Sequence, residues 1–140
     1  MAALRALERC IDSKHPACVL LLPRTIDWFL LASDNPRLSD TPRAVLQLRL
    51  AKLYVLNGEF AKAVASAEDA VGTDPGHIVY MLELAALYLA LEDLDAAERT
   101  IAAAEDGMSP SGINRGLFRD LKSDLERARR REKAAIASQQ

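Results

Sequence analysis

Residues 44–77 read AVLQLRLAKLYVLNGEFAKAVASAEDAVGTDPGH, and residues 78–111 continue as IVYMLELAALYLALEDLDAAERTIAAAEDGMSPS. The two stretches, laid over one another without gaps, share identical residues at a constant offset of 34 positions. The coincident pairs are Val45/Val79, Leu48/Leu82, Leu50/Leu84, Ala51/Ala85, Leu53/Leu87, Tyr54/Tyr88, Ala63/Ala97 and Ala70/Ala104. A repeat of this length is typical of stacked helix-turn-helix units, so the sequence predicts two of them in tandem.

The spacing of small and large residues inside each copy resembles the tetratricopeptide (TPR) repeat. In the first copy the motif falls on Leu50, Ala51, Tyr54, Gly58, Phe60, Ala63, Ala67, Ala70 and Pro75. In the second copy it falls on Leu84, Ala85, Tyr88, Leu94, Ala97, Ile101 and Ala104. Two positions depart from the pattern, because Glu92 stands where the turn glycine is usual and Pro110 comes one place late. The small residues are expected where helices approach most closely.

Composition favours the same fold class. Half of the 140 residues are hydrophobic but only 5% are aromatic, so the core must consist mainly of aliphatic side chains, which suits helices better than sheets. The resemblance implies an all-α fold, a short right-handed α-solenoid of antiparallel helix pairs with about seven helices. We expect a single helical domain over residues 1–140, made of N-terminal helices and a loop (1–40), repeats at 44–77 and 78–111, and a C-terminal capping helix with a basic tail (112–140).

The periodicity of apolar residues places the individual helices. The repeat helices are predicted over residues 42–57, 60–72, 77–91 and 94–106, with Thr41 capping the first of them, and flanking helices are predicted over 2–13, 23–33 and 113–135. Pro16 is expected to end the first helix and Pro23 to begin the second, with an apolar loop between them. Trp28 falls off the buried face of the second helix, where it either marks a contact surface or packs against that loop. Since no run of about 18 apolar residues is found, we expect no membrane insertion by this chain.

The sequence holds no constellation that would support catalysis. Motifs for nucleophilic, metal-dependent and nucleotide-dependent chemistry are missing, so we expect no enzyme, no cofactor and no small-molecule substrate. Cys10, His15 and Cys18 lie close together but lack a paired spacing and a fourth ligand, so no metal is expected. A net charge of −2 makes nucleic acid an unexpected partner. The basic residues between Arg127 and Lys133 suit either a solvated helix end or contact with phosphates.

The resemblance implies a non-catalytic protein-protein interaction module that holds a peptide or partner helix in the concave groove of its repeats. On that face the repeat register places Val45, Leu48, Arg49, Lys52, Val55 and Leu56 from the first copy, and Val79, Leu82, Glu83, Ala86, Leu89 and Ala90 from the second. Arg49 and Lys52 suit a terminal carboxylate, but Glu83 and Ala86 at the matching places do not, so a free C-terminus is not the expected ligand. The alternative is a self-association or assembly domain from a larger, membrane-anchored bacterial protein, with a homo-oligomer as its product.

A second resemblance concerns the N-terminal part. The order of a cysteine pair, residues 27–29 (DWF), residues 35–39 (NPRLS) and then the repeats is similar to the soluble tail of a bacterial polytopic membrane protein resembling a glycosyltransferase. It implies a periplasmic or extracytoplasmic location and a disulfide between Cys10 and Cys18, with any enzyme activity in the membrane part. A complete protein would instead be expected in the cytoplasm.

Cys10 and Cys18 lie eight residues apart and are either a disulfide pair or two packed thiols. For protein made in an oxidising compartment we expect both to be oxidised. Their reduction should then lower the melting temperature, because a closed loop restricts the unfolded chain. Thiol titration with and without reductant, followed by thermal melting, measures both effects. Two free thiols in protein purified from such a compartment would contradict the pairing.

Overall fold

Helices are the regular secondary structure in the described part of the chain. A computed structural model of the protein describes residues 9, 16–109, 112 and 114–140. Among these residues there are six helices and no strands: α1 (Pro16–Ser33), α2 (Asp40–Leu56), α3 (Phe60–Thr73), α4 (Ile78–Ala90), α5 (Leu94–Asp106) and α6 (Arg115–Ser138). This confirms the all-α prediction. The helix predicted over residues 2–13 falls, apart from Arg9, outside the described residues.

The helices form two compact units, residues 1–74 and 75–140, which we call unit 1 and unit 2. In unit 1, α1 packs against α2, and α2 packs against α3. In unit 2, α4 packs against α5, and α6 packs against both. The pairs α2/α3 and α4/α5 are the two predicted helix-turn-helix repeats, and their bounds agree with the prediction to within about two residues.

Alanines fill the places where paired helices meet. Ala63, Ala67 and Ala70 of α3 have no exposed surface, and Ala51 of α2 is 1% exposed. The corresponding alanines of unit 2 are also fully buried: Ala85, Ala97 and Ala104. Because an alanine side chain ends at Cβ, neighbouring helices can approach closely at these positions. The burial predicted for the alanines is therefore confirmed in both repeats.

The two interhelix turns have the same backbone conformation although their sequences differ. Gly58 and Glu92 both lie in the left-handed region, with φ of 76° and 60°. After Gly58, the amide of Glu59 donates to the carbonyl of Tyr54 at 2.9 Å, and after Glu92 the amide of Asp93 donates to that of Tyr88 at 3.0 Å. Glu92 thus takes the conformation of the usual glycine, at the steric cost of a side chain in that region.

The N-terminal helix differs from the prediction. Helix α1 runs without interruption from Pro16 to Ser33 and includes Pro23, so the predicted loop before Pro23 is wrong. Pro16 is the first residue of the helix, where a backbone N–H would have no helical partner. Pro23 has no N–H to donate within the helix, so α1 lacks one backbone hydrogen bond at that point. Cys18, Leu22, Ile26 and Ser33 form the buried face of the helix.

The length of α1 also bears on the membrane expectation. By length and composition alone the helix is long and apolar enough to cross a membrane, with 18 residues of mean hydropathy 1.3 of which 22% are buried. The expectation of no insertion was based on the lack of a run of about 18 apolar residues, which Arg24 and Asp27 interrupt, and it stays a prediction. Trp28 is 80% exposed, so its predicted packing against a loop is wrong.

A single arginine fixes the connection between α1 and α2. The guanidinium of Arg43 donates to the carbonyl oxygens of Ser33 at 3.0 Å, Asn35 at 3.2 Å and Leu38 at 2.8 Å. Arg43 lies in the first turn of α2, which begins at Asp40 after Ser39 rather than after the predicted cap Thr41. These bonds satisfy carbonyls at the end of α1 and in the loop, and so hold α1 against α2.

The turns lead to a stability prediction. Gly58→Ala should lower the free energy of unfolding by about 1 to 2 kcal/mol, because a Cβ is strained at positive φ. Glu92→Gly should raise it by up to about 1 kcal/mol, since relief of that strain outweighs the added chain entropy. Gly72→Ala is the matched control: Gly72 is helical and has nothing within 4 Å of an added Cβ. The control should be neutral or stabilising by up to about 1 kcal/mol. Urea unfolding of the three variants measures these values, and a destabilising Glu92→Gly would contradict the account.

Candidate functional site

A groove between α4 and α6 is the candidate site in unit 2. Its volume is about 500 Å³. The residues that line it come from both helices: Ala86, Leu89, Ala90, Leu121, Asp124, Arg127, Ala128 and Arg131. Alanines and leucines supply the apolar part of the surface, and three charged side chains of α6 border it. The groove therefore combines an apolar floor with a charged rim.

Helix α6 is held beside α4 by its apolar stripe. Leu121 and Leu125 are 6% and 8% exposed and join the core that contains Leu82, Ala85 and Ile101. Phe118 and Ala128 pack against this core at partial burial. These four side chains form the apolar stripe of α6, whereas Leu117 is 44% exposed and lies outside it.

An ion-pair network ties α6 to α5 as well. The Arg129 guanidinium contacts the carboxylates of Asp95 and, at 2.9 Å, Glu98 on α5, and Glu132 on α6 at 3.1 Å. Hydrogen bonds from Arg129 hold the pKa of Asp95 below its ordinary value, and Asp95, Glu98 and Glu132 in turn raise the pKa of Arg129. The sequence suggested either a solvated helix end or contact with phosphates for the basic residues between Arg127 and Lys133. Residues 132–138 are exposed, but the helix continues to Ser138 and Arg129 anchors it.

Arg131 presents a positive charge at this site. It lines the groove and also a neighbouring cavity of about 310 Å³, which is bordered by Glu92, Leu94 and Glu132. Within the described parts of the chain Arg131 forms no ion pair, whereas Arg127 contacts the carboxylate of Asp124. The rim thus offers a cation to whatever occupies the groove.

The predicted partner-binding residues are only partly brought together. Ala86, Leu89 and Ala90 line the groove between α4 and α6. Their place on the concave face of the repeats stays a prediction. Leu82 has no exposed surface and belongs to the core, so its predicted place on a binding surface is wrong. Val79 and Glu83 are half-buried on α4. The first-copy residues Val45, Leu48, Arg49, Lys52, Val55 and Leu56 are half-buried on α2 in unit 1, and their part in a shared face stays a prediction.

The contribution of α6 to the groove was missed from the sequence. Leu121, Asp124, Ala128 and Arg131 recur at intervals of three and four residues, which places them on one side of the helix. That spacing was a usable signal. It was overlooked because the basic run was interpreted as a solvated helix end or as a contact with phosphates, and not as one wall of a groove.

The cysteine prediction is tested only in part. Cys18 is 6% exposed and its sulfur belongs to a disulfide. Cys10 and His15 lie outside the described residues, so the pairing with Cys10 stays a prediction. In the described ranges no group of three or more His, Cys, Asp or Glu side chains is arranged to hold a metal ion.

These features define a class of protein: an α-helical repeat protein whose successive antiparallel helix pairs bury alanines at their contacts. Comparison with known families makes the class specific, because residues 54–106 match the family model described as a tetratricopeptide repeat. This match confirms the first resemblance, to the tetratricopeptide repeat. No curated protein matches the chain. The second resemblance, to the tail of a membrane protein, stays a prediction.

The Arg129 network leads to a prediction for unit 2. Arg129→Gln should lower the melting temperature, because α6 loses its contacts with Asp95 and Glu98. Asp95 has a lowered pKa in the folded chain, so its stabilising effect is complete above the ordinary value of 3.8 and is lost as the pH falls through the lower folded value. The difference in melting temperature between wild type and variant should therefore shrink in strong acid.

Arg130→Gln is the control for that experiment, since among the described residues Arg130 pairs only with Glu126, on its own helix, at 3.6 Å. Thermal melting of both variants across acidic and neutral pH gives the comparison. An equal loss in both variants, or a difference that persists unchanged in strong acid, would contradict a stabilising role of the contact between α5 and α6.

Proposed function

We propose that the chain is a non-catalytic protein-binding module and that the groove between α4 and α6 receives the apolar face of a partner helix or peptide. Tetratricopeptide repeats generally mediate protein-protein interaction and are typically non-catalytic. The observation that carries the proposal is the groove itself, with exposed Ala86 and Ala90 beside Leu89 on one wall and Leu121 on the other.

The chemistry of the walls favours a helical or extended peptide over a small polar ligand. Ala86 and Ala90 are one helical turn apart, and their short side chains leave room for larger side chains of a partner. Leucines on both walls provide apolar contact, which together with a polar rim is the usual composition of protein interfaces. A volume of about 500 Å³ holds a few partner side chains rather than a whole domain, as when an amphipathic helix places its anchor residues in a groove.

A peptide selection on the complete chain tests the proposal. Helical peptides are selected from a display library on the wild-type protein, and their affinities for wild type and for Ala90→Arg are then compared. The substitution fills the groove with a long charged side chain. We expect affinity to fall about tenfold or more, because anchor contacts in a groove carry most of the binding energy. Ala102→Arg is the control: Ala102 is an exposed alanine on α5 that does not line the groove.

Binding to the control should match that of wild type, and circular dichroism should show both variants folded. Peptides that bind Ala90→Arg as well as they bind wild type would contradict the proposed site. An equal loss in Ala102→Arg would contradict it too, because the effect would then not be specific to the groove.

A further inference from the structure

The outward face of α1 is apolar although the helix already buries its opposite face. Cys18, Leu22, Ile26 and Ser33 face the rest of unit 1. On the other side Leu20, Trp28 and Leu31 are 75%, 80% and 77% exposed. A helix that is apolar all round is normally covered on all sides, and an exposed apolar surface of this kind marks an interaction site.

The residues along this face follow the spacing of a helix-packing seam. Leu20, Arg24, Asp27 and Leu31 are separated by four, three and four residues, so they form one stripe along α1. Arg24 and Asp27 are both exposed at its centre. Neither of them forms an ion pair with another described residue. The stripe, which we call the α1 stripe, therefore has apolar ends and two unpaired opposite charges in the middle.

The α1 stripe is complementary to itself when it is turned end for end. In an antiparallel pair of α1 helices, Leu20 of one copy lies opposite Leu31 of the other, and Arg24 lies opposite Asp27. A two-fold axis repeats each contact, as an interface between identical copies requires. We propose that a second copy of this chain docks on α1, antiparallel, through the α1 stripe. The proposal does not depend on the groove, which lies in unit 2.

Charge complementarity favours a second copy over a lipid surface. Opposite charges at the centre of an apolar stripe are costly in hydrocarbon, whereas in the antiparallel pair each charge meets its opposite. A bilayer span would also require α1 to leave α2, although Arg43 of α2 donates to the carbonyl oxygen of Ser33 at the end of α1 and to those of Asn35 and Leu38 in the following loop. Docking of a second copy leaves that contact in place and covers the outward leucines.

Charge reversal tests the pairing with the complete chain. Arg24→Asp and Asp27→Arg each place like charges opposite one another at two points, so each should weaken dimerisation by about tenfold or more. An equimolar mixture of the two variants should form heterodimers, because every contact is then between opposite charges. The double variant Arg24→Asp/Asp27→Arg should also regain dimerisation. Sedimentation velocity from micromolar to hundreds of micromolar concentration measures the dimerisation of wild type, the two single variants, their mixture and the double variant.

Arg37→Asp, an exposed arginine in the loop after α1, is the control and should dimerise as wild type does. Circular dichroism checks the fold of each variant, and the double variant reports on the pairing even if a single variant folds poorly. Wild-type chain that stays monomeric throughout would overturn the proposal, as would a mixture that dimerises no better than its components. Monomeric chain that floats with vesicles of phosphatidylcholine and phosphatidylglycerol would assign the α1 stripe to lipid instead.

Discussion

Close contact between helices at alanine positions is the constraint on which both units depend. Ala51 and Ala85 are buried in the helix pairs α2/α3 and α4/α5, and a side chain that ends at Cβ lets paired helices approach closely. Leu53 and Leu82, the largest fully buried side chains, fill the remaining space in the two units. In unit 2 the pair α4/α5 provides the surface against which Leu121 and Leu125 of α6 pack. The groove exists because α4 and α6 are both fixed against α5.

The repeated part of the fold could be predicted because its signals are local and occur twice. A period of 34 residues fixes where each helix begins and ends, and the alanines mark the buried faces. The turn at Glu92 shows that hydrogen bonding and packing at the ends of α4 and α5 determine the left-handed conformation even without glycine. Asp93, whose carboxylate accepts from the amide of Ala96 at 3.1 Å, further stabilises the start of α5.

The remaining features depend on contacts that a single sequence does not show. Pro23 is a strong local signal for a helix start. Packing of Leu22 and Ile26 on the rest of unit 1 nevertheless stabilises a helix that continues on both sides of Pro23. Ala86, Leu89 and Ala90 were placed on the binding face from the repeat register alone. The repeat register ends at residue 111, so it gave no position for Arg131. It also placed Leu82 on the surface, because it could not show that α5 and α6 would cover that side chain.

We propose that partner recognition takes place between α4 and α6. Hydrogen-deuterium exchange of the complete chain, with and without a saturating groove-binding peptide, tests it most directly. The account predicts added protection in α4 around residues 86–91 and in α6 around residues 121–131, where the two helices border the groove. Protection confined to α5 or to unit 1, with α4 and α6 unchanged, would contradict it.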